Sequence, residues 1–141
     1  MRGNLDRVQV VKGWVDASGQ THEKIFNVAF AHEDRSAADG EVLRELTSTG
    51  ELTAIGSTVD VSVPTYTNTI GAAELSTLWA DPEFDAEQRA FYYVRVLQIP
   101  TPRHSLYDAV ALQIEAPEEA PATIQERAYT SPIWYSPSSS Q

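Results

Sequence analysis

The sequence predicts an all-β chain, a sandwich of short strands with long loops and at most a short helix. Three observations predict it. Residues 90–99, Ala90-Phe91-Tyr92-Tyr93-Val94-Arg95-Val96-Leu97-Gln98-Ile99, are an almost unbroken run of aromatic and β-branched residues, which suit a pleated surface. Val8–Val15 and Thr21–Phe30 flank Asp16-Ala17-Ser18-Gly19-Gln20, a turn composition between two strand patterns. Long helical patterns are few, and turn residues punctuate the rest.

Along the chain, Val8–Val15 reads as a first strand, with Val8, Val10 and Trp14 on one face and Val11 and Val15 on the other. Thr21–Phe30 reads as the returning strand of a hairpin, with Phe26, Val28 and Phe30 in alternation. The hairpin is apolar on both faces, Val11, Val15 and Ile25 opposite Trp14, Phe26 and Phe30. One face therefore needs a cover other than the hairpin's own sheet. A symmetric homodimer is the simplest way for the isolated chain to supply it. His32–Glu51 is a polar connection with one helical turn expected near Glu41–Leu46. Val59–Val63 alternates apolar and polar, the pattern of a half-buried strand that Pro64 would end at an edge.

Ile70–Trp79 suits either a short helix or an extended segment, and the stop at Trp79-Ala80-Asp81-Pro82 favours the latter. Asp85-Ala86-Glu87-Gln88 has capping-box spacing, a single turn leading into the strand from Ala90. In that strand Tyr92, Val94 and Val96 share one face, and Phe91, Tyr93, Leu97 and Ile99 the other. Arg95 lies inside the run and needs a carboxylate or carbonyl partner; the acids of the 81–85 turn are the expected source. Arg103–Thr123 reads mostly as loop, and Ile124–Tyr135 as a last strand interrupted by Pro132. A single sandwich domain over 1–135 and a flexible tail over 136–141 are expected. Glu87–Arg95 also resembles the corner before a late strand of immunoglobulin- and fibronectin-like sandwiches, where a Tyr hydroxyl bonds back to the backbone. Tyr92 would be that Tyr.

The chain has 141 residues, with Lys and Arg totalling 10, Asp and Glu 20, and a formal charge of -10. Such a surface repels phosphate backbones and anionic lipid, which argues against nucleic acid and membrane surfaces as partners. The absence of cysteine excludes disulfides and thiolate metal sites. No apolar run approaches the roughly 18 residues of a membrane span. Met1-Arg2-Gly3-Asn4 carries no hydrophobic signal core. The compartment stays open: a cytoplasmic protein, or a piece whose targeting segment lies elsewhere.

Chemistry is sparse. His22, His32 and His104 form no His-x-His or His-x-x-x-His pair. His32 beside Glu33 and Asp34 is only weakly ligand-like, because acids beside a loop histidine are common by composition. There is no Gly-x-Ser-x-Gly elbow and no phosphate-binding glycine loop. Hence no catalytic, cofactor-binding or metal residue is assigned. Tyr92, Arg95, Trp14, Trp79 and Trp134 are assigned structural roles, the tryptophans as core, since a sugar platform would need an exposed aromatic row. Arg103, His104 and Tyr107 are the candidate substrate or partner contacts. Pro100 and Pro102 restrict the direction in which Arg103 leaves the sheet. Arg103 then either pairs with Asp108 within the loop or binds an anionic group through parallel hydrogen bonds.

Three segments in order carry a resemblance: Asn4–Trp14, Arg89–Arg103 and Glu126–Tyr135. They are similar to the carboxy-terminal portion of the bacterial DUF3604 family, whose members are several times longer and largely uncharacterised. The Ser131-Pro132-Ile133-Trp134 ending also resembles the last strand of sandwiches appended to PHP-like metal-dependent phosphoesterases. His104, where the family is expected to carry Trp, and the stretch His32–Gly56 depart from the pattern. The resemblance implies a non-catalytic β-sandwich that packs on an amino-terminal catalytic region with a His-x-His motif, which this chain lacks. It implies no cofactor in this chain. A self-standing module binding carbohydrate or protein is the alternative.

Overall fold

A computed structural model describes residues 2–31, 33–34 and 42–137. Strand β1 (Leu5–Val15) pairs antiparallel with β2 (Thr21–Phe30) on one side and with β5 (Ala90–Gln98) on the other. The far edge of β5 is shared by β8 (Arg127–Tyr129) and β9 (Ile133–Tyr135), completing a five-stranded sheet of order β2-β1-β5-β8, with β9 also on β5. Two short ribbons stand apart: β3 (Glu33–Asp34) with β4 (Val42–Leu43), and β6 (Thr101–Pro102) with β7 (Thr123–Ile124). One helix, α1, spans His104–Leu112. The chain is thus an all-β sandwich, with one short helix among the described residues.

Residues paired across the ladders share a face. On one face stand Val10, Phe26 and Val94, then Lys12, Lys24 and Tyr92, then Trp14, His22 and Ala90. On the other stand Gln9, Asn27 and Arg95, then Val11, Ile25 and Tyr93, then Gly13, Glu23 and Phe91. The division read from the sequence for β5 holds. An extended strap over residues 72–84 lies across the first face, carrying Trp79 against Phe26 and Asp81 against Lys12. Ile70–Trp79 is not helical: it bends at 70–73, where Ala72 bridges back to Leu5, and then runs on without regular structure.

Beyond the strap, Ala31, Ile55, Ile70 and Ile99 form the apolar core, with Tyr66 and Ala72 packed on it. Beside it the bulge in β1 between Leu5 and Arg7 accompanies a buried ion pair. Asp6 is fully buried, and its Oδ1 accepts from Arg44 Nη2 at 2.7 Å. Arg44 also donates Nη1 to the Ala31 carbonyl at 2.9 Å and Nε to the Thr53 carbonyl at 3.0 Å. Asp6 Oδ2 accepts from Arg7 Nε at 2.9 Å and Gln125 Nε2 at 3.0 Å. The charges are buried with their hydrogen-bonding capacity used, the condition under which burial is tolerated.

Several sequence expectations are corrected. No helical turn spans 42–46: Val42–Leu43 is strand and Leu46 bridges Leu52; Glu41 lies outside the described residues. Val59–Val63 is a turn closed by the Asp60–Thr65 bridge, and Val61 and Val63 are exposed. Asp60 Oδ1 accepts from the Ser62 amide and hydroxyl and from the Val63 amide, so the side chain builds an Asx turn that outcompetes the ladder. Residues 103–112 are a helix cap and α1, not loop; Leu106 and Ala109 give the helix its buried side. The last strand is three short pieces, with Pro132 in the break before β9. The candidate ligand His32 and residues 138–141 of the expected tail lie outside the described residues.

Candidate functional site

Three surfaces carry chemistry: the fastening of the strap, the start of α1, and the open face of the sheet. Lys12 projects from the middle of β1 towards the strap. Its ammonium donates to Asp81 Oδ2 at 2.6 Å and to the Glu83 carbonyl at 2.7 Å, and lies over the Trp14 and Tyr92 rings. Asp81 Oδ1 accepts from the Glu83 amide at 2.8 Å. The Tyr92 hydroxyl donates to Asp81 Oδ2 at 2.8 Å. The expected corner bond from Tyr92 to backbone is therefore replaced by a bond to a carboxylate. Burial pushes the Asp81 carboxyl up, but hydrogen bonds from Lys12, Glu83 and Tyr92, with the Lys12 charge, bring it below its ordinary value. Burial, then the Asp81 hydrogen bond and charge, push the Tyr92 hydroxyl up. A Tyr hydroxyl held protonated and donating to Asp81 is no general base near neutral pH.

This cluster floors a groove of about 510 Å³ whose apolar lining includes Val10, Trp79, Phe84, Val94 and Ile133. Arg95 points away from it. Its Nε donates to Gln9 Oε1 at 2.8 Å, and Gln9 Nε2 donates on to Asn27 Oδ1 at 2.8 Å. The carboxylate partner expected from the 81–85 turn is on the opposite face, so Arg95 takes a side-chain carbonyl and Lys12 takes the acid.

Arg103, His104 and Tyr107 come together on one turn. Arg103 is the extended N-cap of α1 (φ -71, ψ 152) and provides no side-chain cap. Its amide donates to the Ala122 carbonyl at 2.9 Å, and its carbonyl accepts from Leu106 at 3.0 Å. The Arg103 Nε is buried without a hydrogen-bond partner, and no ion pair to Asp108 forms. His104 and Tyr107 are exposed. The first turn holds no acidic residue, so the positive end of the helix dipole meets no carboxylate from its own turn.

The face carrying Phe91 and Tyr93 is not crossed by the strap. In the middle of β2, Glu23 and Ile25 on this face are exposed and Lys24 and Phe26 on the strap side are half-buried, while at the centre of this face Val11 and Gln9 of β1 are buried beneath their neighbours. Phe91 and Tyr93 lie with parallel rings, centroids 6.5 Å apart. The Phe91 ring occupies the space over Gly13 that a Cβ would take. Trp134 meets Phe91 at 5.2 Å and Tyr129 meets Tyr93 at 6.1 Å. Trp134 is 73% exposed, Tyr129 58%, Val15 47% and Ile25 40%. Trp134 is thus not a core residue; Trp14 and Trp79 are half-buried. Sequence reading missed this row, although β-strand alternation from Phe91 and Tyr93 pointed towards it. Arg89 and Glu23 line a hollow of about 620 Å³ at one end of the row, beside Phe91 and Trp134.

Among the described residues, no group of three or more His, Cys, Asp or Glu could hold a metal ion. No curated protein and no solved structure matches the chain. Residues 1–137 match the family described as a protein of unknown function, DUF3604. Because the match covers nearly the whole sequence, including all three segments that carry the resemblance, the chain belongs to the DUF3604 family.

Proposed function

We propose that this chain is a non-catalytic β-sandwich that packs on the catalytic region of a DUF3604-type metal-dependent hydrolase and borders its active site. The observation that carries the reading is the row of exposed aromatic and aliphatic side chains on the face that the strap does not cross, among the described residues. A sheet normally buries at least one face and can solvate the other only when that face is polar. Here the strap covers one face, and the other still presents Trp134, Tyr129, Ile25 and Val15 to solvent. Trp, Tyr and Arg are the residue types that concentrate binding energy at protein interfaces. The metal and the nucleophile then belong to the partner region, and Arg103, His104 and Tyr107 contact its cleft or its anionic substrate.

The test is association in trans. This chain is mixed with the separately produced amino-terminal region of a DUF3604 protein from the same genome, and the mass is followed by light scattering. A one-to-one complex, lost in Trp134→Ser, is the expected result. Two components that sediment independently at high micromolar concentration would refute the docking. Arg103→Ala tests the cleft contact: turnover of the assembled enzyme falls, while the melting temperature of this chain stays within about 1 kcal/mol equivalent, since the guanidinium has no partner to lose.

The row of aromatic rings is also what a carbohydrate platform needs, which keeps the binding-module reading as the second one. Its width favours protein: the apolar row runs from Ile25 on β2 to Trp134 on β9, across strands spaced roughly 4.8 Å apart, and includes aliphatic side chains that ring stacking does not use.

A further inference from the structure

The cations of this protein divide into two sets. Lys12, Lys24, Arg7 and Arg44 each meet a carboxylate: Asp81, Glu83 and, for both arginines, Asp6. Arg2, Arg89, Arg95, Arg103 and Arg127 meet none among the described residues, and Arg89, Arg95 and Arg127 of these lie on or beside the aromatic face. This is unexpected in a chain where Asp and Glu total 20 against 10 for Lys and Arg, because acids are available in excess. The three share a place. Arg95 lies between Gln9 and Tyr129 on the open face, and Arg127 is two register pairs further along on the same face, opposite Leu97. Arg89 lines the hollow beside Phe91 and Trp134. Arg95 uses its Nε on Gln9 and keeps its terminal nitrogens unpaired. Glu23 is the one acid that the β1–β2–β5 ladder places on this face, and at its end Arg89 also lines a second hollow with Asp16, Asp85 and Glu87 without an ion pair to them.

We infer that the open face is a docking surface for an acidic protein partner, one whose surface sets Asp and Glu side chains around an apolar centre. The inference rests on the docking reading and adds the chemistry of the opposing surface. A second copy of this chain fits poorly. The formal charge of -10 repels one copy from another at long range. An acidic partner satisfies the free guanidinium donors, with carboxylates well matched to their fork geometry, while Trp134 and Tyr129 supply the apolar centre. Because these arginines stand at the rim of the aromatic row, their contribution is screened by salt and acts mainly on the rate of association.

The test uses this chain and the separately produced amino-terminal region of the DUF3604 protein as the probe, with affinity measured at 50 and 500 mM NaCl (values chosen so that screening differs roughly threefold in length). The expected result is at least about a tenfold loss of affinity at the higher salt. Arg89→Glu/Arg127→Glu should weaken binding by about tenfold or more, whereas Lys24→Glu, on the strap-side face, should not. The melting temperature of each variant is recorded to confirm folding. If Trp134→Ser abolishes binding but salt and both arginine reversals leave it unchanged, the docking face stands and the acidic partner is wrong. If none of the variants changes binding, the docking face itself is wrong. If the chain alone dimerises and Trp134→Ser makes it monomeric, the occupant is a second copy and the inference fails.

Discussion

Lys12 on the second face-defining position of β1 and Asp81 on the strap meet at 2.6 Å across 69 residues of sequence. The contact ties the irregular middle of the chain to the central sheet. The Lys12 side chain is 3% exposed and that of Asp81 is 6% exposed, so neither charge has water to fall back on. Removing one partner of such a pair leaves the other buried and uncompensated, at a cost of about 3–5 kcal/mol. Lys12→Met is therefore expected to lower the denaturation free energy by that amount. The double variant Lys12→Met/Asp81→Leu should recover much of the loss, because no orphan charge remains. A double variant no more stable than Lys12→Met alone would show that the ion pair is not the source of the effect.

The same pair sets an acid dependence. The Asp81 carboxyl is held below its usual 3.8 in the folded chain. A depressed folded value means that the stability from Asp81 is fully present above the unfolded pKa and is lost as pH falls through the folded one. Wild type and Asp81→Asn should therefore differ at pH 7 and converge below about pH 4. Thermal unfolding from pH 7 to pH 2 measures this. A constant difference across the range would contradict it.

Arg44 makes a sharper case. It is 1% exposed and ties the Ala31 carbonyl, the Thr53 carbonyl and Asp6 together. Arg44→Met removes these bonds and weakens the charge compensation of Asp6. The expected loss is again about 3–5 kcal/mol, with faster proteolytic nicking in the 46–55 segment, which would then be held by fewer bonds. Unchanged nicking with unchanged stability would refute it.

Gly13 is required by Phe91. A Cβ there would overlap the ring tip, and the ring is held from the other side by Trp134. Gly13→Ala should cost about 1–3 kcal/mol through overpacking and alter the near-ultraviolet circular dichroism of the aromatic row. Adding Phe91→Leu should relieve the clash. A fully stable Gly13→Ala with an unchanged aromatic spectrum would place the ring elsewhere.

The hairpin and the central strand were legible because alternation and turn chemistry agree there. The Thr21–Phe30 strand has the bounds that the alternation gives, and both faces of β5 follow from its sequence. Val59–Val63 misled because alternation and turn chemistry disagree. Asp60 and Ser62 repeat the spacing of Asp16 and Ser18, and both aspartates accept the amide and hydroxyl of the serine two residues on. The second motif, read like the first, would have given the turn. Helix α1 was hidden because its cap is Arg103, with no side-chain hydrogen bond, behind Pro102. The spacing of Leu106 and Ala109 was its one helical signal. Arg95 was assigned the wrong partner because sequence separation says nothing of face: Asp81 sits over the Tyr92 side of β5, and Arg95 is on the other. The buried Asp6–Arg44 pair had no signal, since its partners lie 38 residues apart and come together through tertiary packing. The exposed position of Trp134 depended on what covers the sheet, which a single sequence does not state.

The central claim is that the face bearing Trp134 and Tyr129 docks on another protein region. Hydroxyl-radical footprinting reads it most directly, on this chain alone and then with the amino-terminal region of the DUF3604 protein present. Trp134 and Tyr129, at 73% and 58% exposure, should oxidise readily in the chain alone and be protected several-fold in the mixture, while Leu78 on the strap, also exposed, stays unchanged. Equal oxidation of Trp134 and Tyr129 in both samples, under conditions where the two regions form a complex, would contradict the account.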